Sequence, residues 1–154
     1  MFDTVVIATD GSGSARRAVE AALDLAEQFD ATVHAVYVVD TGDIDSTADD
    51  VRDVLEQGLA TTGGRALTFV REAAEADGDD DVVTAVREGD AADEVCAYAA
   101  EHDADVIATG TRGRHGDHGV LLGSVAERIV RQAPMPVLSV RQLDGEPNEE
   151  LEAF

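Results

Sequence analysis

Five short apolar runs recur along the chain, and a segment with helical periodicity follows each of the first four. Runs such as FDTVVIAT and TVHAVYVV are almost continuously apolar and do not alternate with polar residues. Strands of this kind are typical of a parallel sheet that helices cover on both faces. The sequence therefore predicts one doubly wound α/β domain, with five strands and helices on both faces. The predicted strands are residues 2–9, 32–39, 82–87, 105–109 and 136–141.

Four helices are predicted between these strands. Apolar residues recur at helical spacing from Ala15 to Phe29, with Ser14 as the expected N-cap. The second helix contains Gly63-Gly64, and each glycine weakens its middle by roughly 1 kcal/mol relative to alanine. Asp90 opens the third helix, where an acid in the first turn suits the helix dipole. The predicted helices are residues 15–29, 51–73, 90–102 and 124–133.

The balance of charge excludes several classes of partner. The 154 residues include 33 acidic and 11 basic side chains, all eleven of them Arg, for a formal net charge of −22. Such a surface repels nucleic acid and anionic membranes. The chain also lacks an apolar run of about 18 residues and a signal-peptide pattern at its start. We expect a cytoplasmic protein that binds neither nucleic acid nor membrane.

The acidic residues are spread along the whole chain and are not collected in one block. A surface that repels itself in this way is tolerable where salt screens it, since the Debye length falls from about 8 Å at physiological ionic strength to about 3 Å at 1 M. The charge and the absence of Lys favour the cytosol of a salt-accumulating halophile. The alternative is an acidic protein with no such adaptation.

Two loops at the carboxyl ends of predicted strands carry candidate binding residues, at the edge of the sheet where doubly wound folds bind ligands. One is TDGSGS, residues 9–14, and the other is GTRGRHGDHGVLLGSV, residues 110–125. Glycines let backbone N–H groups approach an anion, and Arg112 and Arg114 add charged donors. The second loop therefore favours phosphate binding. The alternative is a plain surface loop, with Ser124 and Glu127 forming only a capping box.

Two common phosphate motifs are missing. A P-loop needs a lysine, which the chain lacks, and the segment after the first strand lacks the third glycine of the dinucleotide fingerprint. Neither a P-loop NTPase nor an ordinary NAD enzyme fits.

The spacing Gly110-x2-Gly113-x9-Gly123-Ser124 resembles the signature of the universal stress protein family. The resemblance runs from the first strand to about Arg141, through TVVIATDGS, HAVYVVD, VREGDAADEVCAYAAEHDADVIATGTRGR and LLGSVAERIVRQAPMPVLSVR. It implies a nucleotide-binding domain over residues 1–141. Residues 142–154 are polar and acidic, which predicts a C-terminal tail. The resemblance also implies the strand order 3-2-1-4-5, which makes the first and fourth strands neighbours.

Members of this family with the full signature bind ATP, so the resemblance implies ATP as the ligand, possibly with Mg²⁺. By position, Ala8 and Asp10 line the nucleotide site, and the backbone at Val38 bonds to adenine. Asp117 departs from the pattern by placing an acid near the phosphates. The residues expected around ribose and phosphates are Thr109, Gly110, Thr111, Arg112, Gly113, Arg114, His115, Gly116, Gly123, Ser124, Val125 and Ala126.

Other reactive side chains receive structural interpretations. His115 and His118 lie in a loop with no thiol or further His to complete a metal site. His34 and His102 lie in a strand and near a helix end. Cys96 has no basic neighbour to activate it. We assign no metal ligand and no catalytic residue.

Three classes of function follow. The first is an ATP-binding stress-response or signalling module that passes its nucleotide state to a partner protein. The second is a weak ATP hydrolase or phosphotransfer enzyme, for which only Asp10 and Asp117 are candidate carboxylates. The third is a dimeric interaction protein with an empty nucleotide site. The resemblance also implies a homodimer through the fifth strand, Pro136 to Arg141. We expect stability and ATP affinity to rise between about 0.1 M and 1 M salt.

Overall fold

Strands and helices alternate along the chain in the computed structural model, which describes residues 2–10, 13–39, 49–76, 78, 81–111 and 122–141. The predicted acidic tail, residues 142–154, lies outside these ranges. The elements are β1 (Thr4–Ala8), α1 (Gly13–Phe29), β2 (Thr32–Val39), α2 (Asp49–Ala76), β3 (Val83–Glu88), α3 (Ala91–Glu101), β4 (Val106–Gly110), α4 (Ser124–Gln132) and β5 (Val137–Val140).

The strands of the described residues form one parallel sheet in the order β3-β2-β1-β4-β5. This confirms the doubly wound fold and the order 3-2-1-4-5. Ala8, at the end of β1, is in register with Val36 of β2 on one side and with Thr109 of β4 on the other. The winding therefore reverses between β1 and β4, which is where open α/β sheets leave a crevice.

Both faces of the sheet are buried, and successive residues of β1 alternate between them. Val5 and Ile7 pack with α1 and α2, in a core that includes Val19 and Val70. Val6 packs on the opposite face, in the core that contains residues of α3 and α4. Val5, Val6 and Ile7 have no exposed surface. The continuous apolar pattern of this strand follows from burial on two sides.

The ends of most elements differ from the prediction by one to three residues, and the starts of β1 and α1 are two examples. β1 begins at Thr4, because the backbone N–H groups of Asp3 and Thr4 donate to the carboxylate of Asp105, at 2.7 and 3.0 Å. The assignment of Ser14 as the N-cap of α1 is wrong, since the helix begins at Gly13 and Ser14 already lies in its first turn.

A helix that crosses a membrane must have both sufficient length and sufficient apolar character. None of the helices of the described ranges meets both requirements, and this includes α2 with its 28 residues.

The structural interpretation of the strand and helix histidines is confirmed. His34 is 9% exposed, and its Nδ1 lies 2.7 Å from the hydroxyl of Tyr98. His102 packs against both rings, with centroids 4.8 Å from His34 and 4.1 Å from Tyr98. Burial, together with repulsion from His102, lowers the pKa of His34 below its ordinary value. His34 therefore belongs to the core, where burial disfavours its charged form.

The two adjacent glycines of α2 differ in their surroundings. A Cβ built on Gly63 would lie 2.5 Å from Cδ1 of Tyr37, whose ring is buried under the helix. A Cβ on Gly64 would meet no atom within 4 Å. Gly63 therefore lets α2 approach β2 closely, and only Gly64 leaves space for a side chain.

We predict opposite effects for alanine at these positions. Gly63→Ala should lower the free energy of unfolding by about 1–3 kcal/mol, because the buried Tyr37 ring must shift. Gly64→Ala should raise it by up to about 1 kcal/mol, because alanine is the better helix former. Urea unfolding of both variants checks this. Equal changes in the two variants would show that Tyr37 does not limit the approach of α2.

Candidate functional site

The winding reverses at the carboxyl ends of β1 and β4, the place where an open α/β sheet leaves a crevice. The two strands are paired up to Ala8 and Thr109, and the chain then leaves them for opposite faces of the sheet. β2 continues beyond the register position of Ala8, from Val36 to Val39, and forms one wall. Of the predicted nucleotide contacts, Ala8, Val38 and Thr109 therefore lie along one edge of the sheet.

The end of β4 is joined by backbone hydrogen bonds to the start of α4. The N–H of Thr111 donates to the carbonyl of Val140 in β5, at 3.1 Å. The carbonyl of Thr111 accepts from the N–H of Gly123, the residue before α4. Both Thr109 and Thr111 are buried. These bonds hold the two ends of the glycine-rich segment together at the mouth of the crevice.

The N-terminus of α4 opens on the same edge. Gly123 is the N-cap, with φ −68° and ψ 163°, and Ser124 is the first helical residue. The interpretation of Ser124 and Glu127 as a capping box is therefore wrong. The helix starts one residue too early for Ser124 to act as a cap, and no side chain caps this end within the described residues.

Three backbone N–H groups at the start of α4 make no hydrogen bond within the helix. The N–H of Glu127 donates to the carbonyl of Gly123, at 2.9 Å. The N–H groups of Ser124, Val125 and Ala126 precede it and have no carbonyl within the helix to reach. Together with the positive end of the helix dipole, such groups form an anion-binding site. Ser124 and Val125 are exposed, while Ala126 is buried and anchors the turn.

The remaining predicted contacts divide into two groups. Asp10 is half-buried after β1, and Thr9 before it donates its N–H to the carbonyl of Val36, at 3.1 Å. Gly110 is the buried last residue of β4. The second group lies outside the described residues and consists of Arg112, Gly113, Arg114, His115 and Gly116. Asp117 and His118, which the sequence analysis also considered, lie outside them too.

Among the described residues, no group of three His, Cys, Asp or Glu side chains could hold a metal ion. The Cys96 thiol is half-buried, and this burial is the main cause that raises its pKa. The raised pKa opposes formation of a reactive thiolate.

An ion pair that the sequence analysis did not predict ties α3 to α4. Arg128 donates to Asp90, at 2.6 Å, and to Asp93, at 3.2 Å. Asp90 is the predicted N-terminal residue of α3, and as its N-cap it also accepts the N–H of Asp93, at 3.0 Å. The Arg128 guanidinium lowers the pKa of Asp90, and the N–H of Asp93 adds to the effect. The sequence contained a signal for this ion pair. The predicted helices α3 and α4 both follow strands, so both begin at the same edge of the sheet, and Asp90 and Asp93 at the start of α3 are opposite in charge to Arg128 near the start of α4.

We predict that the two roles of Asp90 can be separated. Asp90→Asn keeps an acceptor for the N–H of Asp93 but loses the ion pair, which should cost under about 1 kcal/mol because the pair is over 40% exposed. Asp90→Ala also loses the cap and should cost about 1–2 kcal/mol. Denaturant unfolding at neutral pH checks both values.

The same variants show how the stability contributed by Asp90 depends on pH. A carboxylate whose pKa is lowered in the folded state stabilises the protein above the pKa of the unfolded chain, and this contribution is lost as the pH falls through the folded pKa. The difference between wild type and Asp90→Asn should therefore shrink as the pH falls below the ordinary value of 3.8. A difference that persists undiminished in acid would contradict the ion-pair assignment.

The fold is therefore a doubly wound α/β domain. At the carboxyl ends of its central strands, β1 and β4, lies the N-terminus of α4, which no side chain of the described residues caps. The universal stress protein family matches residues 1–141, and the chain therefore belongs to that family. It is 37% identical to a universal stress protein of Methanocaldococcus jannaschii over 143 residues, which are 92% of this chain and 84% of that protein.

Solved structures agree with this assignment. The chain is similar to a universal stress protein determined in complex with cAMP, with 30% identity, a TM-score of 0.70 and coverage of 90% of this chain and 97% of the other. It is also similar to the universal stress protein UspA from Lactobacillus plantarum, with 25% identity, a TM-score of 0.81 and coverage of 91% and 98%.

Proposed function

We propose that this protein binds ATP in the crevice between β1 and β4 and acts as a nucleotide-dependent stress-response or signalling module. The observation that carries the proposal is the start of α4, where Gly123 leaves the helix uncapped and Ser124 is free of a capping role. A cAMP complex of a similar family member supports an adenine nucleotide as the ligand.

Backbone groups are well suited to hold phosphate on this chain. A net charge of −22 repels a polyphosphate, and the fixed N–H donors at the start of α4 offset that repulsion locally. In this proposal Arg112 and Arg114 add charge-assisted bonds from the glycine-rich segment. Salt screens the repulsion by the whole surface, so ATP binding is best measured at about 1 M salt.

The adenine end of the nucleotide is assigned to the wall that β2 forms. Val38 is half-buried beyond the end of β1, and its backbone would bond to the base. Ala8 and Asp10 would line the floor, with Mg²⁺ accompanying the phosphates. The proposal assigns no catalytic residue, and it includes at most weak hydrolysis of ATP.

We predict that Ser124→Ala weakens ATP binding about tenfold, the expected effect of losing one hydrogen bond to a charged phosphate. The free energy of unfolding should stay within about 0.5 kcal/mol of wild type, because the Ser124 side chain caps nothing. Calorimetric titration and denaturant unfolding measure the two effects. A lost cap would instead lower stability by about 1 kcal/mol.

Gly113 provides an independent variant within the signature. Gly113→Val should abolish ATP binding, because a β-branched side chain blocks close approach of the backbone to phosphate, while Gly113→Ala should have a smaller effect. Unchanged ATP affinity in both Ser124→Ala and Gly113→Val would disprove the proposed site.

We also propose that the protein is a homodimer through the outer edge of β5. β5 is an edge strand of the described sheet, and such edges pair readily with another chain. The carbonyls of Pro136 and Val140 accept hydrogen bonds from the β4 side, at 3.0 and 3.1 Å. Because backbone groups alternate along a strand, those of Ser139 face away from β4 and are available to a second copy.

We predict that Ser139→Pro produces a monomer, because proline removes the outward N–H without removing a bond to β4. Ser139→Ala is the matched control and should remain a dimer. Its stability should not fall, since the buried Ser139 hydroxyl has no hydrogen-bond partner in the described structure. Light scattering at tens of micromolar, a concentration suited to interfaces of ordinary size, distinguishes the outcomes. A monomeric wild type would contradict the proposal.

A further inference from the structure

A groove of about 440 Å³ lies between α1 and α2. Its volume is within the range of about 300–1,000 Å³ that accommodates small organic ligands. Arg16 of α1 contributes one side. The other side is formed by Thr61, Gly64, Arg65, Thr68, Phe69 and Glu72 of α2.

The charge of this groove differs from that of the rest of the chain. Two arginines and one glutamate line it, whereas acidic residues outnumber basic ones 33 to 11 over the whole sequence. Within the part of the chain that the structure describes, Arg87, Arg128 and Arg131 pair with carboxylates, but Arg16 and Arg65 do not. Two guanidinium groups are therefore available to an anion.

An aromatic ring lies beside these charges. The Cζ atom of Arg16 lies 5.1 Å from the centroid of the Phe69 ring, a cation–π contact that positions the guanidinium at the wall. Phe69 is half-buried and gives the groove an apolar surface, and Thr68 adds a hydroxyl. The groove thus combines fixed positive charge with a flat apolar wall.

Gly64 keeps the groove open. A Cβ at this position meets no atom within 4 Å, in contrast to the crowded Gly63 beside it. A larger side chain at Gly64 would enter the groove without disturbing the packing of α2 on the sheet.

We propose that this groove is a second ligand site, for a small organic acid that joins an anionic group to a flat apolar portion. The anionic group lies between Arg16 and Arg65, and the apolar portion packs against Phe69. The site shares no residue with the proposed ATP contacts, and the inference does not rest on ATP binding.

The test uses 2-naphthoate as the probe and the full chain in molar salt, with and without ATP. Gly64→Leu fills the groove and should weaken calorimetric binding by at least about tenfold, while its thermal stability should not fall, because leucine is a better helix former than glycine. Arg65→Gln should weaken binding about tenfold through loss of a charge-assisted bond. The uncharged 2-naphthalenemethanol should bind more weakly than the acid.

Arg71→Gln is the matched control. It removes the same charge from the same helix, but Arg71 lies outside the groove and donates to Thr84 of β3, at 3.1 Å. Its affinity for 2-naphthoate should stay within about twofold of wild type. A protein that fails to bind ATP yet binds the probe would refute only the proposed nucleotide site.

Three results would overturn the proposal. The first is no binding of 2-naphthoate at about 1 mM, the weak limit for a specific small ligand. The second is unchanged affinity in Gly64→Leu and Arg65→Gln, or an equal loss in Arg71→Gln. The third is displacement of the probe by ATP, which would place it in the crevice.

Discussion

The parallel pairing of β1 with β4 underlies both the core and the proposed site. Val6 of β1 is in register with Ile107 of β4, and neither side chain has exposed surface. Beyond their last paired residues, Ala8 and Thr109, the chain turns to α1 on one face and to α4 on the other. The contact that joins the two halves of the sheet therefore also creates the crevice, and residues far apart in sequence meet there because these two strands are neighbours.

Polar contacts at this edge fix the position of helices more than they stabilise the fold. Thr111 joins β4 to the start of α4 through its backbone, and Arg128 joins α4 to α3. Since the ion pair of Arg128 with Asp90 is over 40% exposed on both sides, its contribution to stability is small. Its consequence is geometric: two helix N-termini are held at one edge, where their dipoles add to the same local field.

Arginine is scarce on this chain, and most of the described arginines connect two different elements. Arg128 uses two nitrogens of its planar guanidinium, one for Asp90 and one for Asp93, where a flexible lysine would give a less defined contact. Arg131 instead pairs within its own helix with Glu127, and Arg65 faces the α1–α2 groove. The connecting contacts are Arg16 to Phe69, Arg17 to the carbonyl of Arg141, Arg71 to Thr84, Arg87 to Glu101, and Arg128 to Asp90.

The alternation of strands and helices was predictable from the sequence by itself, because burial on one or two faces leaves a periodic pattern within each element. Strand order came only from family resemblance, since periodicity does not say which strands pair. The assignments of Ser14 and Ser124 as caps were wrong because a cap depends on the residue at which the backbone becomes helical. Only the tertiary structure distinguished Gly63 from its neighbour, through the ring of Tyr37, and paired Arg128 with α3. Such contacts join residues far apart in sequence, and their geometry is decided by how whole elements pack.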